Sequence, residues 1–524
     1  MADRSSAATP STAETWLGGP IVTTHGSLVG GPFVDSGFPA ASRGQLATVV
    51  TVAEHSTAKD APLQLGSDRQ ETLRQAIEAL QRAWESFDHP RSGQPSPSPE
   101  VIRLTQAKLP QEPTPMNEVL ALAEEILDAS LSQTRPRFFA FVGSSGLESA
   151  VLGDLLATAH DVNMATTAHA ADLIESQTVQ WLSSLVGYDG AEGYFTSGGM
   201  ISNLTALSAA REKAAPGTRM TGVRDGRLCV YTSVESHASI QRACEVLGLG
   251  SQAVRAVSID EHRRMRADEL RTAITQDVAD GRAPMAVVAT AGTTLTGAVD
   301  DLQAVSAVCR DLDVWMHVDG AYGLPAASAP ETAHLFAGLS DADSVSVDAH
   351  KWLFVPKACG CLMVKDKNAL RATFAHDSGY MLHDDQRVEH SVDATLEYSR
   401  PFRALKLWVA LKTHGRQQYV SAISKNLALA RILADLIGEE DRLELLTQPQ
   451  LSIVPFRYLP RNHEPNDFNR RLVKKMQERG RVWVSDAVLD GRVCLRPCIV
   501  NFRTQEDDVR ALVEETLAVA AALD

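Results

Sequence analysis

The stretch that decides the fold is Ser346-Val-Asp-Ala-His-Lys-Trp-Leu353. It begins as an apolar segment and runs into Trp352-Leu-Phe354, which predicts a half-buried position for Lys351. A half-buried lysine gives up its proton more readily than a solvated one, and the neutral amine can attack a carbonyl carbon. A lone lysine after a strand is more often a surface residue, so the interpretation depends on other segments.

Upstream, Val314 to Val318 predicts a short buried strand, and Asp319 stands at its carboxyl end. Open α/β sheets place ligand-binding groups at the carboxyl ends of their strands. A carboxylate at that position can hold a pyridinium nitrogen in its protonated form. Considered by itself, Asp319 is as well explained as the cap of the following turn.

The segment Phe195-Thr-Ser-Gly-Gly-Met-Ile-Ser-Asn203 precedes a helical pattern that starts at Leu204. Small residues that open a helix expose backbone N–H groups to an anion, and the helix dipole adds to the attraction. This pattern predicts a phosphate cradle, although most Gly-Gly pairs are plain turns.

Two further strand ends carry polar residues. The segment Val230 to Ser239 predicts a strand followed by a turn that contains His237, a residue able to lie flat on a cofactor ring or simply to cap a turn. Met285 to Thr290 predicts another buried strand, followed by Ala291-Gly-Thr-Thr294. Small hydroxyl residues at a strand end suit a cofactor face, and an ordinary turn explains them equally well.

The order of these segments is more specific than any one of them. A Gly-Gly turn, a His, a Gly-Thr-Thr, an Asp and a His-Lys follow one another at predicted strand ends, and in this the chain resembles the group II pyridoxal 5'-phosphate (PLP)-dependent amino-acid decarboxylases, the family of glutamate and aromatic-L-amino-acid decarboxylases. The matching segments are Thr232-Ser-Val-Glu-Ser-His-Ala-Ser-Ile240, Ala289-Thr-Ala-Gly-Thr-Thr294, His317-Val-Asp-Gly-Ala-Tyr322 and Asp348-Ala-His-Lys-Trp352. The resemblance runs from about Pro113 to near the C-terminus.

The resemblance implies a role for individual residues. Lys351 corresponds to the lysine that forms the Schiff base with PLP, Asp319 to the partner of the pyridine nitrogen, and His237 to the residue that stacks on the ring. Further cofactor contacts are implied for Ser197, Gly198, Gly199, Met200 and His350 around the phosphate, and for Thr294 and Ala321 near the ring. Asp300 corresponds to a supporting position behind the cofactor.

Asp348 departs from the pattern, because animal members often carry Asn there. A carboxylate beside a phosphate is unfavourable unless it points away or accepts a hydrogen bond. Asp348 is therefore not assigned to the phosphate.

The resemblance also implies a mobile lid and a side-chain pocket. Phe374 to His383 corresponds to the lid, and Tyr380 to the catalytic tyrosine that protonates the carbanion; an ordinary loop tyrosine is the alternative. The residues implied for the substrate pocket are Val142, Gly143, Ser144, Asn163, His169 and Arg403. An amide and an imidazole there favour a polar or acidic side chain over an aromatic one, unless those residues face other parts of the protein.

The expected fold is α/β, the type I fold of PLP-dependent transferases, with a mostly parallel sheet and a small α+β C-terminal domain. We expect a poorly ordered arm over residues 1–65, a helical segment over 66–136, a large PLP-binding domain over 137–400 and the small domain over 401–524. Helices are predicted at Gln70–Phe87, Met116–Leu131 and Glu506–Ala522, and short strands at Leu451–Arg457 and Val482–Ser485.

Composition limits the class of protein. The 524 residues allow two or three domains, and 44% hydrophobic with 22% charged residues is ordinary for a soluble enzyme. The net charge of −15 argues against nucleic-acid binding, and no apolar run reaches the roughly 18 residues of a membrane span. The cysteines lack the spacing of a zinc site, so no metal is expected. We expect a cytoplasmic homodimer whose partner is a small-molecule amino-acid substrate, with no nucleic acid and no membrane.

The predicted activity is removal of the α-carboxylate of an L-amino acid, which gives an amine and carbon dioxide. A decarboxylating aldehyde synthase or an aminotransferase on the same fold is the first alternative. Tyr380 argues against the aldehyde synthase, because members with that activity often lack the tyrosine. A catalytically silent scaffold is the alternative of another class, and the joint presence of Lys351, Asp319 and His237 argues against it.

Overall fold

The protein is described by a computed structural model over residues 63–91, 93–166, 168–224, 226–376 and 391–524. The strands of this part of the chain are β1 (Glu192–Thr196), β2 (Leu228–Ser233), β3 (Val254–Val257), β4 (Ala283–Thr290), β5 (Trp315–Asp319), β6 (Ser344–Asp348), β7 (Gly360–Val364), β8 (Leu443–Leu445), β9 (Phe456–Tyr458), β10 (Asp486–Leu489) and β11 (Arg492–Leu495).

Seven of these strands form a large sheet in the order β1-β7-β6-β5-β4-β2-β3. Strands β2 to β6 are parallel, and β7 is antiparallel to both of its neighbours, so β1 runs in the same direction as the parallel set. The predicted α/β class with a mostly parallel sheet is confirmed. As a consequence, the carboxyl ends of β1, β2, β4, β5 and β6 all lie at one edge.

The helices are α1 (Arg69–Phe87), α2 (Pro99–Leu104), α3 (Met116–Asp128), α4 (Glu148–His160), α5 (Ala170–Val186), α6 (Gly199–Ala214), α7 (Thr218–Thr221), α8 (Ser239–Val246), α9 (Ala267–Ala279), α10 (Leu302–Leu312), α11 (Lys367–Phe374), α12 (Ala404–Gly438), α13 (Pro465–Arg479) and α14 (Glu506–Leu523). The three predicted helices are present as α1, α3 and α14, although α3 ends at Asp128. Gly415, with φ 68°, interrupts the helical geometry of α12.

Helices cover both faces of the large sheet, which explains why its central strands are buried on both faces. Side chains of one strand alternate between the two cores: Val287 and Ala289 of β4 face the side covered by α5, α9 and α10, while Ala286 and Val288 face α6 and α8. All five residues of β5 and all five of β6 are buried. A charged residue in these strands therefore needs partners of its own.

In the C-terminal part, a four-stranded antiparallel sheet in the order β10-β11-β9-β8 shares a core with α12, α13 and α14. Its strands are displaced from their predicted positions, since β9 begins only at Phe456 and β10 at Asp486. The segments before them are buried by long-range contacts, such as the single bridges of Ile453 to Cys498 and of Trp483 to Phe138. An apolar alternating pattern does not distinguish such extended segments from paired strands.

Residues 67–524 form one compact unit. Most of the segment expected to be a poorly ordered arm, residues 1–62, lies outside the described part of the chain. Within the described residues, no helix is long and apolar enough to span a membrane, and no cluster of His, Cys, Asp and Glu could hold a metal ion.

Candidate active site

Asp319 is surrounded by hydrogen-bond donors at the carboxyl end of β5. The amide of Asn203 donates to Oδ2 at 2.8 Å, the backbone N–H of Ala321 donates to Oδ1 at 3.1 Å, and the Ser346 hydroxyl lies 3.3 Å from Oδ1. The side chain is only 7% exposed. These neutral donors stabilise the carboxylate charge where burial would otherwise oppose it.

A second group of residues fixes the direction of the Asn203 amide. His317 Nε2 is 3.0 Å from Asn203 Oδ1, and His317 Nδ1 is 2.8 Å from the Ser344 hydroxyl. Because an amide oxygen only accepts, Nε2 carries the proton and Nδ1 accepts from Ser344. Burial lowers the pKa of His317 to about 4, which keeps the ring neutral at physiological pH. Asn203 was not identified in the sequence; its only signal is a polar residue inside an apolar helical stretch.

The start of α6 forms a narrow cradle beside Asp319. A Cβ on Gly199 would lie 2.9 Å from the Ala321 methyl and 3.1 Å from Asp348 Oδ2, and one on Gly198 would lie 3.2 Å from the His350 ring. Gly198 precedes the 16-residue helix α6, and no side chain caps the helix start. The Gly198 N–H donates to the Thr196 hydroxyl at 3.3 Å, so the N–H groups of the first turn after it are the ones available to an anion.

Lys351 is connected to this cradle by Asp348, which lies next to Gly199. Its Nζ is 3.0 Å from Asp348 Oδ2, and the carboxylate is 2% exposed. The other oxygen, Oδ1, has no hydrogen-bond partner among the described residues. Asp348 therefore does not point away from the cradle: in this structure its carboxylate pairs with the lysine. His350 is buried next to both groups, and burial lowers its pKa.

The residues after Lys351 hold the lysine in place. Trp352 is fully buried, donates from Nε1 to Asn426 Oδ1 at 3.0 Å and stacks on Tyr322 with 5.3 Å between ring centroids. Phe354 adopts a left-handed backbone conformation with φ 65°, and its carbonyl accepts the N–H of Leu147 at 2.8 Å. The predicted half-buried position of Lys351 follows from this packing, since its side chain is 25% exposed.

His237 stands at the other side of the site, after β2. Its Nδ1 accepts the backbone N–H of Ser239 at 3.2 Å, at the start of α8, and the residue is exposed. Ser239 in turn accepts a hydrogen bond from the Asn203 amide at 3.0 Å. His237 Nδ1 therefore caps the start of α8, as one of the two interpretations predicted. The cap fixes the direction of the ring, and Ser239 connects it to Asn203, which donates to Asp319.

Thr294 and Asp300 follow β4. Asp300 is fully buried and accepts the backbone N–H groups of Met265 at 2.6 Å and Thr290 at 2.7 Å. Burial raises the pKa of Asp300 to about 6. Asp300 therefore stabilises the end of β4 through its hydrogen bonds to the backbone, and both of its oxygens are used in this way. Thr294 is exposed, and its carbonyl accepts a hydrogen bond from Arg496 Nε at 2.6 Å.

Arg496 is a further site residue that the sequence did not reveal. Its guanidinium is held by two carbonyls, that of Thr294 and that of Phe141, the latter 3.0 Å from Nη1. The residue is 5% exposed, and Nη2 has no hydrogen-bond partner among the residues described. A buried cation whose neighbours are all neutral lacks a counter-charge, which makes it a candidate ligand for a carboxylate. Nothing in its sequence context separates it from a surface arginine.

The residues predicted for the substrate pocket are found in two different settings. Ser144 belongs to the site, since its hydroxyl donates at 2.8 Å to the carbonyl of Val355, on the loop that follows Lys351. The Arg403 guanidinium is occupied by Glu397, with contacts of 2.7 and 3.0 Å. Asn163 and His169 are both exposed, and Asn163 Oδ1 accepts the N–H of Ala165 at 3.0 Å. Tyr380 lies outside the described residues.

The fold and the shared strand edge define the class: an α/β enzyme of fold type I, in which PLP binds at the carboxyl ends of the central strands. Residues 99–459 match the pyridoxal-dependent decarboxylase conserved domain. The chain is 34% identical to aromatic-L-amino-acid decarboxylase of Bacillus atrophaeus, over 80% of this chain and 88% of that protein. It is 30% identical to human cysteine sulfinic acid decarboxylase, over 72% and 78% of the two chains.

A solved structure, that of Oryza sativa TDC with PLP and tryptamine, superposes with a TM-score of 0.81 at 26% identity, over 88% of this chain and 99% of that one. The chain therefore belongs to the pyridoxal-dependent decarboxylase family. It is a PLP-dependent amino-acid decarboxylase, as the sequence predicted.

The depressed pKa of His317 predicts a loss of stability in acid. Below pH 6.5 the unfolded chain binds a proton at His317 that the folded chain does not take up until about pH 4. The contribution of the neutral ring to the free energy of unfolding is therefore complete above pH 6.5 and falls by about 3 kcal/mol towards pH 4. Urea denaturation between pH 4 and 7 measures this.

The matched variant is His317→Gln, which cannot titrate. The difference in unfolding free energy between wild type and His317→Gln is expected to shrink as the pH falls from 6.5 to 4. A difference that stays constant over this range would contradict a neutral, buried imidazole.

Proposed function

We propose that the chain removes the α-carboxylate of a polar or acidic L-amino acid, with Lys351 as the lysine that binds PLP. The observation that carries the assignment is a continuous set of contacts: Lys351 Nζ lies 3.0 Å from Asp348, the Asp348 N–H donates to the Ala321 carbonyl at 3.2 Å, and the Ala321 N–H donates to Asp319 at 3.1 Å. Gly199 lies so close to Ala321 and Asp348 that a side chain there would clash. An amine, a phosphate cradle and a carboxylate, the groups that a PLP ring needs at three of its corners, are thereby neighbours.

The residues of the site fit the cofactor. The first turn of α6 after Gly198 would offer backbone N–H groups to its phosphate, with His350 close by. Asp319 would accept a hydrogen bond from the protonated pyridine nitrogen and so keep that nitrogen charged, and the Asn203 and Ser346 donors keep this carboxylate from turning away. When bound, PLP supplies an electron sink for the pair released with carbon dioxide. His237 and Ala321 are proposed to contact the two faces of the ring.

Protein groups are also proposed to handle the substrate. Arg496 is proposed to bind a substrate carboxylate through its unpaired Nη2. The carbonyls of Thr294 and Phe141 hold the rest of the guanidinium in place. Lys351 accepts and returns a proton as it exchanges places with the substrate amine, and Asp348 holds its ammonium form. Tyr380 is proposed to return a proton to the α-carbon, which makes the product an amine.

The experiment that tests the activity is a screen of the standard L-amino acids for release of carbon dioxide by the PLP-loaded protein. Reduction with borohydride is expected to fix the cofactor on the peptide that contains Lys351. The activity of Lys351→Ala is expected to fall to the background rate, because Lys351 is the lysine whose Nζ lies 3.0 Å from Asp348 beside the cradle, whereas Lys475→Ala, on the exposed face of α13, keeps full activity. Fixation on a different lysine would refute the assignment of Lys351.

Tyr380→Phe separates the decarboxylase from the aldehyde synthase. Without the hydroxyl, the α-carbon is not reprotonated, and oxygen is expected to divert the product to aldehyde and ammonia. The amine-to-aldehyde ratio, measured by chromatography with and without oxygen, reports this. Amine formation at the wild-type rate by Tyr380→Phe would remove this residue from the mechanism.

We further propose an isologous homodimer. Helix α4 packs one face on α12 and exposes Leu152, Leu155 and Leu156 on the other, at 46%, 57% and 55% exposure. These leucines lie three and four residues apart and form one stripe, which is typical of a face that a second chain covers. A cytoplasmic location stays a proposal as well, supported by seven free, buried cysteines.

Sedimentation velocity tests the dimer. The wild-type protein is expected to sediment as a dimer, and Leu155→Asp with Leu156→Asp as a monomer, because two buried carboxylates oppose association. Met220→Asp, at an 80% exposed methionine on α7, is the control and stays dimeric. A wild-type monomer at micromolar concentration would overturn the proposal.

A further inference from the structure

Lys357 lies on the same loop as Lys351, between β6 and β7. Its Nζ is 2.9 Å from the side-chain oxygen of Gln133. The same oxygen accepts the backbone N–H of Ser144 at 3.2 Å. Gln133 therefore ties the lysine to the segment of Val142, Gly143 and Ser144, which the family resemblance assigns to the substrate side-chain pocket.

The surface beside this contact is formed by a residue without a side chain. Gly143 has no side chain, and the atoms nearest to a Cβ built there are the Gln133 oxygen and the Phe138 ring, all at 3.6 Å. The Ser144 hydroxyl is turned to the carbonyl of Val355. Since the Gln133 oxygen already accepts two hydrogen bonds, its amide nitrogen is the group that remains to donate. A lysine and an amide thus present donors at one corner of the pocket.

The charge of Lys357 has no counterpart in the described part of the chain. Among the described residues no carboxylate lies within ion-pair distance of its Nζ, and the ammonium donates to the neutral Gln133 amide. Although the residue as a whole is exposed, partial burial of the ammonium lowers its pKa, and the nearby Lys351 adds to this effect while Asp348 opposes it. Asp348 already pairs with Lys351.

We infer that Lys357, together with Gln133, binds an anionic group at the end of the substrate side chain and so selects acidic over aromatic L-amino acids. This inference rests on the proposed decarboxylation and names the substrate class of the same site. Two cations with free donor capacity, Arg496 and Lys357, match the two anionic groups of an acidic amino acid. An aromatic side chain in the same corner would leave the ammonium without an anionic partner.

The specificity constant kcat/KM separates this role from a general one. The PLP-loaded wild type is expected to prefer L-glutamate, L-aspartate or L-cysteine sulfinate over L-tyrosine and L-tryptophan. Lys357→Met is expected to lower kcat/KM for the acidic substrate roughly 10- to 100-fold, mostly through KM, which is the size of one charge-assisted hydrogen bond. The value for tyrosine is expected to stay unchanged or to rise. Lys357→Arg restores part of the loss, and Lys475→Met changes neither substrate.

Binding without turnover provides an independent measurement. Glutarate has two carboxylates but no amine, so calorimetric titration of the PLP-loaded protein reports recognition alone. Lys357→Met is expected to weaken glutarate binding by a factor similar to its effect on KM, and to leave 3-phenylpropanoate binding unchanged. The cofactor content of each variant, read from its visible absorbance, is expected to equal that of the wild type.

The possible failures differ. If no amino acid releases carbon dioxide, the proposed function is refuted. If carbon dioxide is released but an aromatic substrate is preferred tenfold or more, which corresponds to about 1.4 kcal/mol, the inference is refuted and the function stands. If Lys357→Met lowers kcat/KM equally for all substrates and also lowers the cofactor content, Lys357 contributes to holding the cofactor phosphate and the inference is refuted. Lys357→Gln repeats each comparison should the methionine variant fold poorly.

Discussion

A buried carboxylate at the end of a central strand is the constraint on which the rest of this site depends. Asp319 is stable there only because Asn203, Ser346 and the Ala321 N–H donate to it. Neutral His317 donates to the oxygen of the Asn203 amide, and this hydrogen bond turns the amide so that its nitrogen faces Asp319. The position of α6 against the sheet, and with it the phosphate cradle, is fixed by the same hydrogen bonds.

The cradle in turn explains the glycines around it. A Cβ on Gly360 would lie 2.6 Å from Gly198 Cα and 2.7 Å from Asp348 Oδ1, so three segments meet where side chains have no space. Asp348 occupies the remaining volume and neutralises its charge with Lys351. The close packing brings a cation, an anion and a helix start together without any metal ligand.

The order of the motifs was sufficient to predict the α/β fold. One edge of the sheet holds Lys351, Asp319, His237, Ala321 and the Gly198-Gly199 pair, because parallel strands bring their carboxyl ends together. Asn203, Arg496 and Lys357 escaped prediction for a different reason. Their importance depends on their surroundings: among the described residues, the Asn203 amide is oriented by its neighbours, the Arg496 guanidinium has a nitrogen without a hydrogen-bond partner, and the Lys357 ammonium lacks an anionic partner. Tertiary packing sets these surroundings, and the sequence does not show them. The displaced strands β9 and β10 reflect the same limit, since burial of Ile453 and Trp483 depends on distant segments.

The antiparallel direction of β7 has a consequence for how such an enzyme can change its preferences. Two parallel neighbours require a crossover that leaves the edge of the sheet and returns from the far side, whereas an antiparallel pair is joined by a short turn. The chain between β6 and β7, residues 349–359, therefore returns without a crossover and carries both Lys351 and Lys357. The first part of this connection, with Trp352 and Phe354, is buried in the core, whereas Lys357 is exposed. On the proposed assignment, substitutions at the exposed part alter which molecules are accepted while the core and the hydrogen bonds of the sheet stay intact, so new specificities can arise on this scaffold at little cost in folding.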